Sequence, residues 1–300
     1  MVFLGDSRIS EKRYRQMIIA QIKAGLGNQL FQYAAAKQLA EKLGTQLKLN
    51  VDFFGNNMND VTQRNFELNK LAISAPLASK EEIKRIKKKT WKNIFHISTI
   101  RERHYPLLHL LLRRDNNYYV KGYWQSERYF ADITPIIRDE FRFMEPLQEE
   151  YFKRIQQKIR GTNSVSLHFR RGDYVTNPKV NACFGSCTIE YYQKAIKIIS
   201  STIPDPRLFI FSDDITWVKD NFSTRLPTIF IDQKDEMLHS DFRLMQLCQH
   251  NIIANSSYSW WAAWLNENPS KIVIAPQQWS KDKQLQHRSA TMIPRSWMRV

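Results

Sequence analysis

Between residues 164 and 275, short apolar runs alternate regularly with amphipathic stretches. Few folds accommodate that pattern other than a parallel sheet covered by helices on both faces. SVSLHF (164–169), RLFIFS (207–212), TIFID (228–232), NIIAN (251–255) and KIVIA (271–275) are short and evenly apolar, as buried strands are. Helices are predicted near 189–200, in a short segment opened by DDITWVKDNF, and over 237–250 and 258–266, with a long loop after the first strand. In sheets of this kind ligands bind at the carboxyl ends of the strands. The polar segments HFRRGDY, SDD and NSSYSWW all fall at such ends.

The first half opens in a related way. MIIAQI (17–22) reads as a strand, followed by the glycine loop KAGLGNQ and a helix from about Gln29 to Leu43. Phe31, Ala35, Leu39 and Leu43 form its apolar stripe, Gly44 stops it, and QLKLNVD (46–52) is the next strand, completing a β-α-β unit. Residues 55–149 carry no clear pattern, and the boundary between the halves lies within 149–161. The expected organisation is an N-terminal α/β domain over residues 1–155 and a second over 156–300.

A chain of 300 residues, 43% hydrophobic and 12% aromatic, has material for two modest cores and does not resemble a disordered protein. The segment MVFLGDSRISEKRYRQ reads as neither signal peptide nor membrane anchor, and no uncharged apolar run reaches the roughly 18 residues of a spanning helix. The cytoplasm is the expected location on the absence of such signals, and three cysteines, Cys183, Cys187 and Cys248, make no disulfide framework and suit a reducing compartment. Cys183 and Cys187 have only His104 and His109 as a histidine pair near zinc-like spacing, far upstream, and read as ordinary loop thiols. The net charge of +16 attracts anions, whether nucleic acid, a membrane surface or phosphorylated substrates. Part of it lies at 80–95, where Ile83, Ile86 and Ile94 keep helical spacing and lysines fill the opposite face. That face reads first as solvated, and second as a peripheral contact with the inner membrane surface.

HFRRGDYV (168–175) is the most informative segment. Arg170 and Arg171 leave a strand together, with Gly172 letting the backbone turn, and guanidinium groups bind phosphate oxygens bidentately. One of the two arginines is expected to pair with a carboxylate; both at a strand end favour an anion site. In NSSYSWW, Ser256, Ser257 and Ser259 sit where a strand gives way to a helix, a place suited both to capping and to phosphate binding. FSDD places Ser212, Asp213 and Asp214 at another strand end, where one carboxylate can meet a guanine edge or ribose and the other can cap the next helix. No D-x-D triplet occurs, which favours stabilising a leaving group by arginine and helix dipole over a divalent cation. GLGNQL lacks the third glycine of a dinucleotide fingerprint. Its glycines Gly25 and Gly27 admit a close approach to the backbone, and Asn28 and Gln29 offer amides to sugar hydroxyls; Asn28 reads equally as a helix N-cap.

GLGNQLFQYA, HFRRGDY, FSDD and NSSYSWWAAWL, in that order between about Gly25 and Leu265, resemble the motif set of the α-1,2-fucosyltransferases, as does KGYWQSERYF (121–130) in bacterial members. The resemblance implies a GT-B fold, two Rossmann-like domains facing a cleft, and a metal-independent inverting transfer of L-fucose from GDP-fucose to the 2-hydroxyl of a β-galactoside. The expected acceptor is a galactose-containing oligosaccharide or lipid-linked glycan. By position, His168 and Asp213 or Asp214 would bind the guanosine, Arg170 the β-phosphate with Arg171 supporting, and Ser257 and its neighbours would complete the phosphate site. Asn28 would reach the sugar from the other domain, and Asp173 is the candidate base, unless it only orients an arginine or no protein base operates. No cofactor or metal is expected. The rival readings are the same donor with another linkage, a nucleic-acid-binding protein, for which no motif is present, and a sugar-binding module without turnover.

Overall fold

The computed structural model describes residues 16–55, 64–88, 98–114, 116–146, 148–233 and 239–300, without the side chains of residues 109, 111 and 288. The expectations for the segment before Gln16, for Ile94, for Met237 and for the His109 side chain lie outside them. The chain divides into two units: residues up to Trp124 together with Arg128–Arg142, and Gln125–Glu127 together with Phe143–Val300. The predicted boundary, after residue 155, falls inside the helix Glu150–Arg160. That helix buries its apolar face, Phe152, Ile155 and Ile159, and packs against the helix Ser240–Leu247 as one piece of the second unit.

The first unit is built on four parallel strands: β1 (Met17–Gln21), β2 (Gln46–Asn50), β3 (Thr99–Ile100) and β4 (Tyr118–Val120), in the order β2-β1-β4-β3. Between β1 and β2 runs the helix Leu26–Leu43, which starts three residues earlier than the sequence pattern suggested. Gly44 ends it in the left-handed conformation, φ 64°, and its N–H and that of Thr45 return to the carbonyls of Glu41 and Ala40. The helix is buried on more than its apolar stripe. Gln29 and Gln32 are also inside, with Tyr33, whose hydroxyl donates to Glu140 Oε2 at 2.6 Å. Glu140 is a buried carboxylate held as well by Ser74 and by Lys37 at 3.1 Å. The helix Lys80–Lys87 opens with a capping box: Ser79 Oγ accepts from the Glu82 N–H, and Glu82 accepts from the Ser79 N–H. Ile83 and Ile86 dock on Met17, Ile19 and Tyr119.

Six parallel strands form the second sheet: β5 (Asn163–Phe169), β6 (Pro206–Ser212), β7 (Thr228–Phe230), β8 (His250–Ile252), β9 (Val273–Ala275) and β10 (Met298–Arg299). Their order is β10-β9-β8-β5-β6-β7, so the chain runs outward in opposite directions from β5 and β8. The crevice beyond the carboxyl ends of that pair is the topological switch point, where open α/β sheets bind ligands. Val165, Leu167, Leu208, Ile210 and Ile252 are fully buried beneath the helices Ile189–Thr202 and Ile215–Asn221. The helix Ser257–Leu265 is buried from Ser259 onward, including Trp260, Trp261 and Trp264, as the apolar run requires.

The long loop expected after β5 is instead two short helices, Gly172–Thr176 and Pro178–Cys183. Asn177 caps the second, accepting from the N–H groups of Lys179 and Val180, with Pro178 at its first position. Among the described residues no helix is long and apolar enough to cross a membrane.

Candidate active site at the switch point

Register places the site. In the β5–β6 ladder Phe169 pairs with Ser212, and β8 pairs with β5 up to Leu167↔Ile252. The next residues of the three strands, Arg170–Arg171, Asp213–Asp214 and the segment leading to Ser256, therefore emerge side by side. Arg170 donates through Nη1 to Asp213 Oδ2 at 2.6 Å and through Nη2 to Asp173 Oδ1, and its guanidinium lies over the Tyr174 ring. The Arg171 N–H donates to Asp213 Oδ1 at 2.8 Å and its Nε to Asp214 Oδ2 at 3.1 Å. Its guanidinium stacks on Trp217 with 3.3 Å to the ring centroid. Both arginines thus carry carboxylate partners, where the sequence suggested one. Each keeps N–H groups to spare, because a guanidinium has five.

Gly172 is explained by approach rather than by turning. Its φ is not in the left-handed region, and a Cβ there would stand 2.5 Å from Asp213 Oδ2. Asp214 caps the helix Ile215–Asn221, accepting from the Trp217 N–H at 3.3 Å, and its own N–H donates to Ser212 Oγ. Ser212 therefore shapes the turn.

His168, at the end of β5, is 6% exposed, and burial pushes its imidazole down to about 4, so it is neutral near pH 7. Its Nδ1 is buried without a hydrogen-bond partner among the described residues, which suits a site completed by a ligand. At the start of the helix Ser257–Leu265, Ser256 Oγ caps the Tyr258 N–H at 3.3 Å, and the buried Ser259 Oγ donates to the Ser256 carbonyl at 3.4 Å. These two hydroxyls are committed to the helix start. Ser257, half-buried, is the serine there without such a commitment.

The sequence reading passed over three groups here. Tyr174 donates to the Asn255 carbonyl at 3.1 Å and stacks on Phe184, and burial raises its hydroxyl to about 12. The Asn255 side chain donates to the carbonyls of Gly185 and Trp279 and accepts from Cys187 Sγ, tying together the loops under the arginines. Trp217 is the third. Its signal was present, an aromatic three residues after a capping aspartate, but nothing local said that it would meet Arg171. Burial raises the Cys187 thiol to about 11 and the Cys248 thiol further. No cluster of three metal-ligating side chains occurs among the described residues.

In the first unit the GLGNQ segment differs from expectation. Gly25 is the N-cap of Leu26–Leu43, and Asn28 is the third helical residue, its N–H donating to Gly25 O at 2.9 Å, so the N-cap reading of Asn28 is corrected. The Gln29 side chain is fully buried. It donates to the carbonyls of Ala24 and Asn65, each at 2.8 Å, and accepts from the Glu67 N–H at 2.9 Å. Its amide is spent on fastening two loops, so Gln29 is structural and not a sugar ligand. Gly25 has ordinary φ with Arg64 Nε 3.9 Å from where a Cβ would lie, and Gly27 is buried inside the first helical turn.

The chain is 34% identical over 305 aligned positions to an alpha-1,2-colitosyltransferase of Escherichia coli, covering 95% of this chain and 99% of that one. It is 33% identical over 284 positions to the O-antigen biosynthesis glycosyltransferase WbnK of Escherichia coli, covering 86% and 93%. Among solved structures, a mutant of Arabidopsis thaliana FUT1 in complex with GDP aligns with a TM-score of 0.51 at 10% identity, over 90% of this chain and 74% of that one. That likeness bears on the fold alone, and agrees with the expected GT-B class of two α/β units on parallel sheets. Residues 13–299 match the sequence model of glycosyl transferase family 11, and with that match and these relatives the chain belongs to that family.

Proposed function

We propose that the protein transfers L-fucose from GDP-β-L-fucose to the 2-hydroxyl of a terminal β-galactoside, with inversion and without a metal ion. The observation that carries this is the pair of arginines at the switch point of the second sheet, each braced by carboxylates and each with N–H groups left over. As the bond from the sugar C1 to the phosphate oxygen stretches, negative charge collects on the β-phosphate. Arg170 meets that charge with preoriented donors, and the backbone N–H groups opening the helix at Ser257 add a dipole of the same sign. Both contacts strengthen in the transition state, which is what accelerates the reaction. His168, neutral and with Nδ1 unpartnered, offers a hydrogen bond to the guanosine.

The ion pair with Arg170 makes Asp173 a positioning residue in this reading, its carboxylate fixing the direction of the guanidinium. Asn28 remains a group proposed to contact sugar. The family likeness supports glycosyl transfer, and the motif resemblance supports fucose and galactoside. The relative named an alpha-1,2-colitosyltransferase favours a second reading, colitosyl transfer in the same linkage. Turnover of GDP-fucose against nucleotide-activated colitose, with one galactoside acceptor, separates them. The fucose reading expects the larger kcat/KM for GDP-fucose, and a preference for colitose overturns it.

A further inference from the structure

Outside that site, a cluster of lysines lies on the first unit. Lys80, Lys84, Lys87 and Lys88 line an open groove of about 560 Å³ together with Ile83 and Asp52. Their clustering follows from the helix itself. Ile83 and Ile86 are drawn into the core against Met17, Ile19 and Tyr119, which leaves the lysines on the outer side of a short, firmly capped helix. The carboxylates nearby offset them only in part: Asp52 lines the same groove, and Glu81 is coupled electrostatically to Lys84 and Lys80. Glu82 is held by Lys48 at 2.5 Å and by the Ser79 cap, and Glu81 is exposed in the first turn. No ion pair joins any of the four lysines to a carboxylate among the described residues, and Lys87 instead sits 4.4 Å over the ring of Tyr119. Four ammonium groups facing two carboxylates leave a net positive surface, which an anionic surface laid against it complements.

The segment leading into the helix adds an apolar feature. Leu77, two residues before the capping serine, is 55% exposed. A lysine-rich groove with an exposed leucine in the segment leading into its helix matches the composition that interfacial protein surfaces use, cations at the headgroups and an aliphatic side chain beneath them. We infer that the Lys80–Lys88 groove docks the protein on an anionic phospholipid bilayer through the phosphates of the headgroups. This goes beyond the transfer reaction and does not depend on which sugar is transferred.

The test is co-sedimentation of the full chain with vesicles of phosphatidylcholine alone and of phosphatidylcholine containing phosphatidylglycerol. The comparison is with a variant carrying K80E, K84E, K87E and K88E. Turnover with a soluble acceptor and the far-ultraviolet circular dichroism spectrum establish that the variant is folded. The wild type is expected to bind the anionic vesicles at least about 100-fold more tightly than the variant and to lose binding as salt is raised. A Leu77→Ser variant is expected to bind several-fold more weakly at unchanged charge. Equal binding to neutral vesicles, or undiminished binding by the charge-reversed variant, overturns the inference. Release of the wild type by millimolar inorganic phosphate at constant ionic strength also overturns it, because the groove would then be a site for a free anion.

Discussion

Replacing Gly172 by alanine adds one methyl group, and its consequences can be worked from the geometry. The new Cβ would stand 2.5 Å from Asp213 Oδ2 and 3.1 Å from its Cγ. Ordinary van der Waals contact needs at least about 3.5 Å, so the carboxylate must retreat by roughly 1 Å. The same carboxylate accepts from Arg170 at 2.6 Å and from the Arg171 N–H at 2.8 Å, and a retreat of that size carries both bonds to the limit of hydrogen bonding. Hydrogen bonds to charged groups contribute about 1.5–3 kcal/mol each. With Asp213 a quarter exposed and water able to replace part of the loss, about 1–2 kcal/mol of stability should disappear. Arg170 would be left with Asp173 alone, and GDP affinity should fall by about tenfold or more as the guanidinium loses its fixed direction. Thermal unfolding and calorimetric titration with GDP measure the two effects. Asp213→Ala in the alanine background should cost much less than in the wild type, because the clash has already broken the contact. Full GDP affinity in Gly172→Ala, or strictly additive effects of the two changes, would refute the close-approach argument.

Other perturbations have equally definite outcomes. Trp217→Ala removes the ring under Arg171, a contact of about 0.5–2 kcal/mol, and should weaken GDP binding severalfold with little effect on kcat, while Trp217→Phe restores most of it. Glu140→Ala strands the buried Tyr33 hydroxyl and should destabilise the protein by about 2–4 kcal/mol in urea unfolding, with GDP affinity of the folded fraction unchanged. His168 titrates near 4 folded against 6.5 unfolded, so the unfolded chain takes up a proton that the folded chain refuses between those values. Its contribution is a stability present above about pH 6.5 that is lost as pH falls toward 4, about 3 kcal/mol at most. Urea midpoints of wild type and His168→Gln at pH 7 and pH 5 check this, the variant being the less acid-sensitive.

Why some of this was legible in the sequence and some was not follows from the range of the forces involved. β5 and β6 were readable because strands buried on both faces are uniform apolar runs, and their loops had to carry the polar residues. Gly44 was readable because stopping a helix is a local act. The helices Gly172–Thr176 and Pro178–Cys183 are too short to show a period, and only the Asn177–Pro178 cap announces the second. Gln29 looked like a surface amide because its partners, the Asn65 carbonyl and the Glu67 N–H, lie 36 and 38 residues away. The pairing of Arg170 with Asp213 was hidden for the same reason. It depends on the register that sets Phe169 beside Ser212, which two separate apolar runs do not encode locally.

The central claim is a transfer from GDP-fucose that rests on Arg170 and needs no divalent ion. GDP release measured in EDTA, with and without lactose, for the wild type and Arg170→Ala tests it most directly. The account predicts lactose-dependent release in the wild type and a loss of roughly 10²–10³ in the variant, the size expected for removing one preorganised contact. Release that requires added metal, or that persists undiminished in Arg170→Ala, would contradict it.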